Sequence, residues 1–281
     1  MHASQIYAIA PRALPTVVDA LVRHGPQNFL KYNLDRPLRL VHWMGQMAHE
    51  SAGFTRLEEN LNYSATRLKQ VFPKLSSAEC AEIAGNPRAT ANRVYGGRMG
   101  NTDPDDGWRY RGRGLIHLTG RDNYARLTRE TGIDLIADPD RAAEPETAIT
   151  IACAFWRINA INKHADLDDI ERVTRVINGG TNGLADRRRL TERARAVLLG
   201  PEALRAFVLR KGSKSHAVAL LQGELKELGF GIAADGAFGD STEGHVRKFQ
   251  NDRGLTVDGI VGPATWRALA SALAEARRKR R

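Results

Sequence analysis

The sequence predicts a mainly α-helical chain of two domains: a larger domain with a cleft and a small three-helix bundle. Three observations predict this architecture. The chain has 281 residues, about twice the usual length of a domain. Apolar residues recur at helical spacing along most of the chain, and its C-terminal part contains an internal repeat, which indicates a small unit built twice from one motif.

Composition narrows the class of protein. Apolar residues make up 42% of the chain, which is ordinary for a soluble globular protein and excludes wholesale disorder. Lys and Arg number 42 against 32 acidic residues, a net charge of +10. This charge favours a polyanionic partner such as nucleic acid, anionic lipid or an acidic cell wall. Cys80 and Cys153 lie among apolar or small residues and are expected to be buried free thiols.

The repeat defines the small domain. Residues 235–242 and 258–265 both read Asp-Gly-x-apolar-Gly-x-x-Thr, with glycines that turn the chain before a helix. Apolar residues at helical spacing indicate one helix before the first copy and one after each copy; they are Val218, Leu221, Leu225 and Leu228, then Val246 and Phe249, then Trp266 and Leu269. From about Leu209 to Leu269, these residues resemble the peptidoglycan-binding domain of bacterial and phage cell-wall hydrolases. That resemblance implies a three-helix module that binds the wall.

Changes in composition place the domain boundaries. We expect a catalytic domain over residues 1–205, a linker over 206–214, the wall-binding domain over 215–273 and a basic tail over 274–281. The tail ends in Arg277-Arg278-Lys279-Arg280-Arg281, a run typical of a solvated segment, with contact to an anionic envelope surface as the alternative.

The first candidate catalytic residue is Glu50. An apolar helical face runs through Leu40, Met44 and Met47 and stops at His49-Glu50. A carboxylate at the end of such a face stands with one side buried and the other wet, which suits a general acid. A zinc site of the H-E-x-x-H type is excluded because Gly53 stands where the second His is needed.

The second carboxylate comes from Glu58-Glu59. On one continuous helix Glu59 would lie opposite Glu50, so a shared site needs the chain to turn at Ser51-Ala52-Gly53. Two carboxylates on separate elements can lie roughly 6.5–9.5 Å apart, which leaves room for a water and predicts inversion of configuration.

Two loops complete the candidate cleft. The first loop, residues 107–120, begins with alternating Arg and Gly. Its residues Leu115–Thr119 are expected to form a short strand in the cleft wall. The second, residues 176–187, is rich in Asn and Gly, residues that make tight turns and offer amide donors to sugar hydroxyl and acetamido groups.

Together, these segments over residues 35–195 resemble the catalytic domain of glycoside hydrolase family 19, the chitinase family, in its bacteriophage endolysin branch. The resemblance implies a lysozyme-like α (α+β) domain. It also implies that Glu50 is the general acid and that Glu59, with Glu58 as the alternative, is the general base. Thr119 is implied to hold the attacking water. The implied or expected substrate contacts are Tyr63, Trp108, His117 (where many relatives have Gln), Tyr124, Asn178 and Arg187, whereas Trp43 and Trp156 are expected in the core.

The sequence therefore predicts a monomeric endolysin that hydrolyses β-1,4 bonds of peptidoglycan as an N-acetylmuramidase. We expect no cofactor, no metal and no specific nucleic acid. No Sec-type signal peptide follows Met1, so we expect synthesis in the host cytoplasm and action in the periplasm or wall. The open alternatives are a chitinase of the same family, a lytic transglycosylase that needs only one Glu, and a non-catalytic binding protein.

Overall fold

The chain divides into two compact units, Met1–Arg187 and Arg188–Arg281. The computed structural model describes residues 1–205 and 207–280. Most of these residues are helical, which confirms the predicted mainly α-helical fold. Within the described ranges, none of the helices is long and apolar enough to span a membrane.

Short helices joined by turns build the N-terminal unit. In chain order they are α1 (Ala3–Ile9), α2 (Pro15–Arg23), α3 (Gly25–Lys31), α4 (Pro37–Glu50), α5 (Ala65–Val71), α6 (Ser77–Ile83), α7 (Pro87–Tyr95), α8 (Asp106–Arg109), α9 (Arg121–Thr131), α10 (Pro145–Ile158), α11 (Asn162–Ala165) and α12 (Ile170–Asn178). A 3₁₀ helix, Pro139–Ala143, precedes α10, and α13 (Leu184–Leu204) crosses the boundary between the units. A glycine with φ +73° at position 200 interrupts α13.

The core of this unit is built on α4 and α10. Both helices begin with a proline in the first turn, where no backbone donor is lost. Every residue from Val41 to Ala48 is buried, as are Trp43 and Trp156, so both tryptophans belong to the core as predicted. Because each buried side chain of this size stabilises the fold by about 1.5–3 kcal/mol, α4 is a firmly held support for the residue at its end, Glu50.

The two cysteines are buried free thiols, as predicted. Burial raises the pKa of the Cys153 thiol well above its usual range. Cys80 packs with Leu68 and Ile83 in a separate small apolar cluster of the helices α5 and α6.

The predicted strand at Leu115–Thr119 is wrong. Arg113 and Leu118 pair with each other as an isolated bridge, and the residues between them form a tight turn. Gly114 at φ +77° and His117 at φ +49° adopt left-handed conformations that close this turn. An alternation of apolar residues that suits a strand also suits a turn of this kind, whose apolar side chains point inward at Leu115 and Leu118.

Three helices, α14 (His216–Glu227), α15 (Asp240–Asp252) and α16 (Pro263–Lys279), form the centre of the C-terminal unit. Their predicted apolar faces meet in one core, in which Leu221, Phe249 and Trp266 are at most 3% exposed. The predicted three-helix arrangement of this part is confirmed.

Each copy of the repeat is closed by a buried glutamine. In the first copy, the Gln222 amide donates to Asp235 (2.9 Å) and Thr242 (3.0 Å) and accepts from the Gly236 N–H (2.8 Å). Gln250 makes the matching bonds in the second copy, to Asp258, Gly259, Ile260 and Thr265. The sequence repeat is thus a repeat of one hydrogen-bonded loop.

The predicted linker and tail are both paired with this C-terminal unit. Leu209 bridges to Val261 and Lys214 to Ala237, so these residues of the predicted linker join the fold of the bundle. The basic residues up to Lys279 continue α16 and are exposed, as expected for a solvated segment, and Arg277 pairs with Glu227. Ala206 and Arg281, at the start of the predicted linker and at the end of the tail, lie outside the described residues. The outer limits of the predicted catalytic and wall-binding domains stay predictions.

Candidate active site

Glu50 is the last residue of α4, and a sharp turn follows it. Ala52, Gly53 and Phe54 all have positive φ, and the Ser51 hydroxyl donates to the Met47 carbonyl (2.6 Å). This turn ends the helix and leaves the Glu50 side chain with 18% of its surface accessible. Glu50 therefore stands half-buried at the end of a rigid helix, as the sequence predicts.

A buried arginine fixes the Glu50 carboxylate. Arg187 is 2% exposed; its Nη2 donates to Glu50 Oε1 (2.5 Å) and its Nη1 to Gln46 Oε1 (2.5 Å). Gln46 in turn donates to the Thr174 hydroxyl (3.3 Å). Among the described residues, Oε2 of Glu50 has no hydrogen-bond partner, so this oxygen is available to a substrate.

The loop 178–186 closes against α4. The Asn178 amide donates to the Asn182 carbonyl (3.0 Å), which also accepts from Arg187 Nε (3.1 Å). His49 pairs through Nδ1 with Asp186 (2.7 Å). Asn178 is thus half-buried and braces its own loop, while its predicted contact with substrate stays a prediction.

Glu59 is held by donors from two other elements. The Gly112 N–H donates to Oε1 (2.5 Å) and the Tyr95 hydroxyl to Oε2 (2.7 Å). Burial raises the pKa of Tyr95, and the charge of Glu59 raises it further, so the phenol remains a donor. These bonds orient the carboxylate, and no cation pairs with it among the residues that the structure describes.

The geometry favours Glu59 over Glu58 as the base. Adjacent residues in extended backbone point in opposite directions. Glu58 pairs with Arg111 (2.9 Å) and is 48% exposed on its side chain, whereas Glu59 points to Tyr95 and Gly112. A carboxylate that is committed to an ion pair is the weaker candidate for a general base.

Thr119 shares one small space with Glu59. A Cβ added to Gly112 would lie 3.1 Å from Glu59 Oε1 and 3.2 Å from Thr119 Oγ1, so both oxygens border the same point. The Thr119 hydroxyl donates to the His117 carbonyl (2.8 Å), which leaves its oxygen as an acceptor. Acceptors on Glu59 and Thr119 suit a water that donates one hydrogen bond to each, with Glu59 as the group that can take a proton.

His117 connects the two carboxylates. Burial lowers the pKa of His117, while the charges of Glu50 and Glu59 both raise it. The charges of both carboxylates thus act on one imidazole, which supports a site that they share. In the part of the chain that the structure describes, His117 Nε2 is buried without a hydrogen-bond partner, so this nitrogen is free to bond to a ligand.

The aromatic predictions fare differently. Tyr63 is half-buried, and the charge of Glu59 contributes, after burial, to its raised pKa, so it lies near Glu59. The face of Trp108 carries the Arg111 guanidinium at 4.0 Å. The prediction that Tyr124 contacts the sugar is corrected: it has no exposed surface, and its hydroxyl donates to the Arg111 carbonyl (2.8 Å). Tyr124 therefore supports the loop of residues 107–120 from its buried side.

Sequence reasoning missed three groups at this site: Tyr95, Gln46 and the Gly112 N–H. Gln46 is a polar residue on the apolar face of α4, one turn before Glu50, and that interruption was a usable signal. Tyr95 ends α7 just before Gly96-Gly97, a position that gives no sign of a contact with Glu59. Within the ranges that the structure describes, His, Cys, Asp and Glu side chains form no group of three or more suited to a metal ion.

Comparisons with known proteins cover both units. Residues 214–269 match the model of the family described as a putative peptidoglycan binding domain. A glycosyl hydrolase family 19 domain-containing protein of Haemophilus influenzae is 41% identical over 152 residues, which are 53% of this chain and 74% of that protein. A zinc D-Ala-D-Ala carboxypeptidase of Streptomyces albus G is 43% identical over 61 residues, 21% of this chain and 24% of that protein.

A solved structure of a bacterial family 19 chitinase also aligns with this chain. The alignment covers 70% of this chain and 94% of the chitinase at 16% identity, with a TM-score of 0.47. Given the coverage and identity of the Haemophilus relative, the chain belongs to glycosyl hydrolase family 19 and is a glycoside hydrolase with a C-terminal peptidoglycan-binding domain.

Proposed function

We propose that this glycoside hydrolase is a bacteriophage endolysin, an N-acetylmuramidase that hydrolyses the β-1,4 bonds of peptidoglycan with inversion and so lyses bacterial cells. One observation carries the proposal: Glu50 and Glu59 stand on separate elements, with Arg187 as the partner of Glu50 and Tyr95 and Gly112 as the partners of Glu59. Two carboxylates at one site, on separate elements, are the equipment of an inverting glycosidase.

Glu50 acts as the general acid. Its Oε2 faces no partner among the described residues and donates a proton to the glycosidic oxygen as the bond to the leaving sugar breaks. The carboxylate that forms is stabilised by Arg187, which already donates to Oε1 at 2.5 Å. Gln46 accepts from the other branch of the same guanidinium, so Arg187 keeps its position when Glu50 loses its proton.

Glu59 acts as the general base. A water bound between Glu59 and Thr119 donates one hydrogen bond to each. Its lone pair then points to the anomeric carbon, and Glu59 takes its proton as the water attacks. The Tyr95 and Gly112 donors hold the carboxylate in this orientation. Attack from the face opposite to the leaving group inverts the configuration.

The C-terminal unit supports peptidoglycan as the polymer. Residues 214–269 match a peptidoglycan-binding family, and this module holds the enzyme on murein rather than on chitin. The net charge of +10 favours an acidic envelope and predicts binding that weakens as salt is added. We propose that the protein is made in the host cytoplasm, acts at the wall and works as a monomer without a cofactor.

Mass spectrometry of fragments released from purified peptidoglycan tests the proposal. Wild type and the control Glu58→Gln should release fragments with reducing N-acetylmuramic acid ends, and Glu50→Gln should release none. Reducing glucosamine ends would contradict the muramidase assignment. Faster cleavage of chitin oligomers than of peptidoglycan would favour a chitinase, while 1,6-anhydro ends that persist in Glu59→Gln would favour a lytic transglycosylase.

A further inference from the structure

Three exposed arginines lie on segments that reach the Glu59 end of the candidate active site: Arg56, Arg67 and Arg98, called here the cationic rim. Arg56 stands three residues before Glu59 in the chain. Arg67 lies in the first turn of α5, shortly after Tyr63, and Arg98 lies just after α7, shortly after Tyr95. Both tyrosines lie near Glu59. Three separate segments thus bring one charge each to the base side of the cleft.

The charges of the rim reach the side chains around the base. Arg56 lowers the pKa of His117 and Tyr63, against larger opposing effects on Tyr63. Arg67 acts on Tyr63 in the same direction, and Arg98 acts on Tyr95. The hydrogen bonds agree with this position: the Arg56 N–H donates to the Ser51 carbonyl (3.1 Å) in the turn that follows Glu50, and Arg98 donates to the Val94 carbonyl (3.2 Å) beside Tyr95, whose hydroxyl donates to Glu59.

No rim arginine has an acidic partner among residues 1–205 and 207–280. Arg67 donates to Gln70 Oε1 (3.1 Å) and Arg98 to the Val94 carbonyl (3.2 Å), both neutral acceptors. The other arginines of the site are paired with acids and differ in this respect; they are Arg111 with Glu58, Arg113 with Asp140 and Arg187 with Glu50. The rim is therefore positive charge that the protein itself does not neutralise.

We propose that the cationic rim binds the carboxylates of the peptide stems on a peptidoglycan strand and thereby selects this polymer over neutral chitin. This inference rests on the proposed function. Chitin carries no charge, whereas every second sugar of an intact peptidoglycan strand carries a peptide with free carboxylates. Guanidinium groups bind carboxylates through paired hydrogen bonds, and a rim beside the base places them next to the sugar whose bond is cut.

The test uses the full chain with the rim replaced, Arg56→Gln/Arg67→Gln/Arg98→Gln. A matched control, Arg23→Gln/Arg172→Gln/Arg175→Gln, removes the same charge from three arginines that pair with acids on or beside their own helices. The substrates are soluble tetrasaccharide fragments that carry peptide stems, and the same fragments after their carboxylates are converted to amides with carbodiimide and ammonium.

The expected result is a change in KM with kcat unchanged, because the rim binds substrate and transition state alike. Each exposed ion pair changes affinity about two- to fivefold, so amidation should raise the wild-type KM roughly tenfold. The rim variant should have this raised KM for both substrates, and the control variant should behave as wild type. Thermal melts of all three proteins, together with the three single variants, separate a loss of binding from a loss of folding.

Two different failures are distinguishable. If the rim variant cleaves native and amidated fragments with the ratio of KM values found in wild type, the inference is wrong and the proposed function stands. If wild type leaves the peptide-bearing fragments intact while cleaving chitin oligomers, both the proposed function and the inference are wrong.

Discussion

Adding one methyl group at Gly112 should separate the base from its water without unfolding the protein. The backbone of Gly112 is outside the left-handed region, so Gly112→Ala carries no strain of its own. Its new Cβ, however, would lie 3.1 Å from both Cδ and Oε1 of Glu59 and 3.2 Å from Thr119 Oγ1. All three atoms must move by a few tenths of an ångström to restore ordinary contact distances near 3.5–4.0 Å.

The magnitude follows from where those atoms can go. Glu59 Oε1 is tied to the N–H of the same Gly112 at 2.5 Å, so the carboxylate cannot retreat from the methyl group without stretching that bond. A displacement of 1 Å at a reacting centre costs about 100-fold in rate, so a few tenths should cost roughly five- to tenfold in kcat. The methyl group also takes space between the two acceptors that hold the water.

The assay is steady-state release of dye-labelled peptidoglycan fragments, with thermal unfolding measured on the same samples. Gly244→Ala is the matched control because a Cβ there meets nothing within 4 Å; its activity should equal that of wild type. A Gly112→Ala protein with full kcat would refute the shared water site of Glu59 and Thr119. A loss of both activity and folding would show that the change acts through stability instead.

Three further predictions concern the side chains around the two carboxylates. Tyr95→Phe removes the hydroxyl that donates to Glu59 at 2.7 Å and should lower kcat about tenfold with KM unchanged, as steady-state kinetics would show; an unchanged kcat would mean that Gly112 alone orients the base. Arg187→Lys keeps a charge but not the fork that reaches Glu50 and Gln46 together, so kcat should fall about 10- to 100-fold, and wild-type rates would remove Arg187 from the mechanism. Burial lowers the pKa of His117, so the unfolded chain takes up a proton before the folded one as the pH falls below about 6.5. The free energy of unfolding, measured with urea, should therefore fall between pH 7.5 and 5.5 more steeply in wild type than in His117→Gln. Equal slopes would contradict this.

The helices and the C-terminal bundle were predictable because their signals are local. The apolar face of α4 stops at the residue where the helix ends, and the repeated Asp-Gly motif is a loop that closes on one glutamine per copy. Glu50 and Glu59 could be proposed as catalytic candidates for the same reason, since each stands in a short motif. The prediction that they share one site depended on the turn at Ser51–Gly53, where Ala52 and Gly53 do adopt positive φ.

The partners of the carboxylates were harder to predict because they are distant in sequence. Tyr95 lies 36 positions from Glu59, and only the packing of α7 brings its hydroxyl to the base. The resemblance to a known family supplied Arg187, 137 positions from Glu50, whereas periodicity gave no sign of it. Tyr124 was misplaced because an aromatic residue beside a polar loop suits a sugar contact and a buried support equally well in sequence; burial decides between them.

The configuration of the newly formed reducing end tests the two-carboxylate mechanism most directly. Proton NMR of soluble peptidoglycan fragments, recorded in the first minutes of cleavage before mutarotation, identifies the anomer that the enzyme releases. The mechanism predicts that the α-anomer appears first from the β-1,4 bond, and that Glu59→Gln, unlike Glu58→Gln, releases almost none. A β-anomer that appears first, or full activity of Glu59→Gln, would contradict inversion by a water held at Glu59.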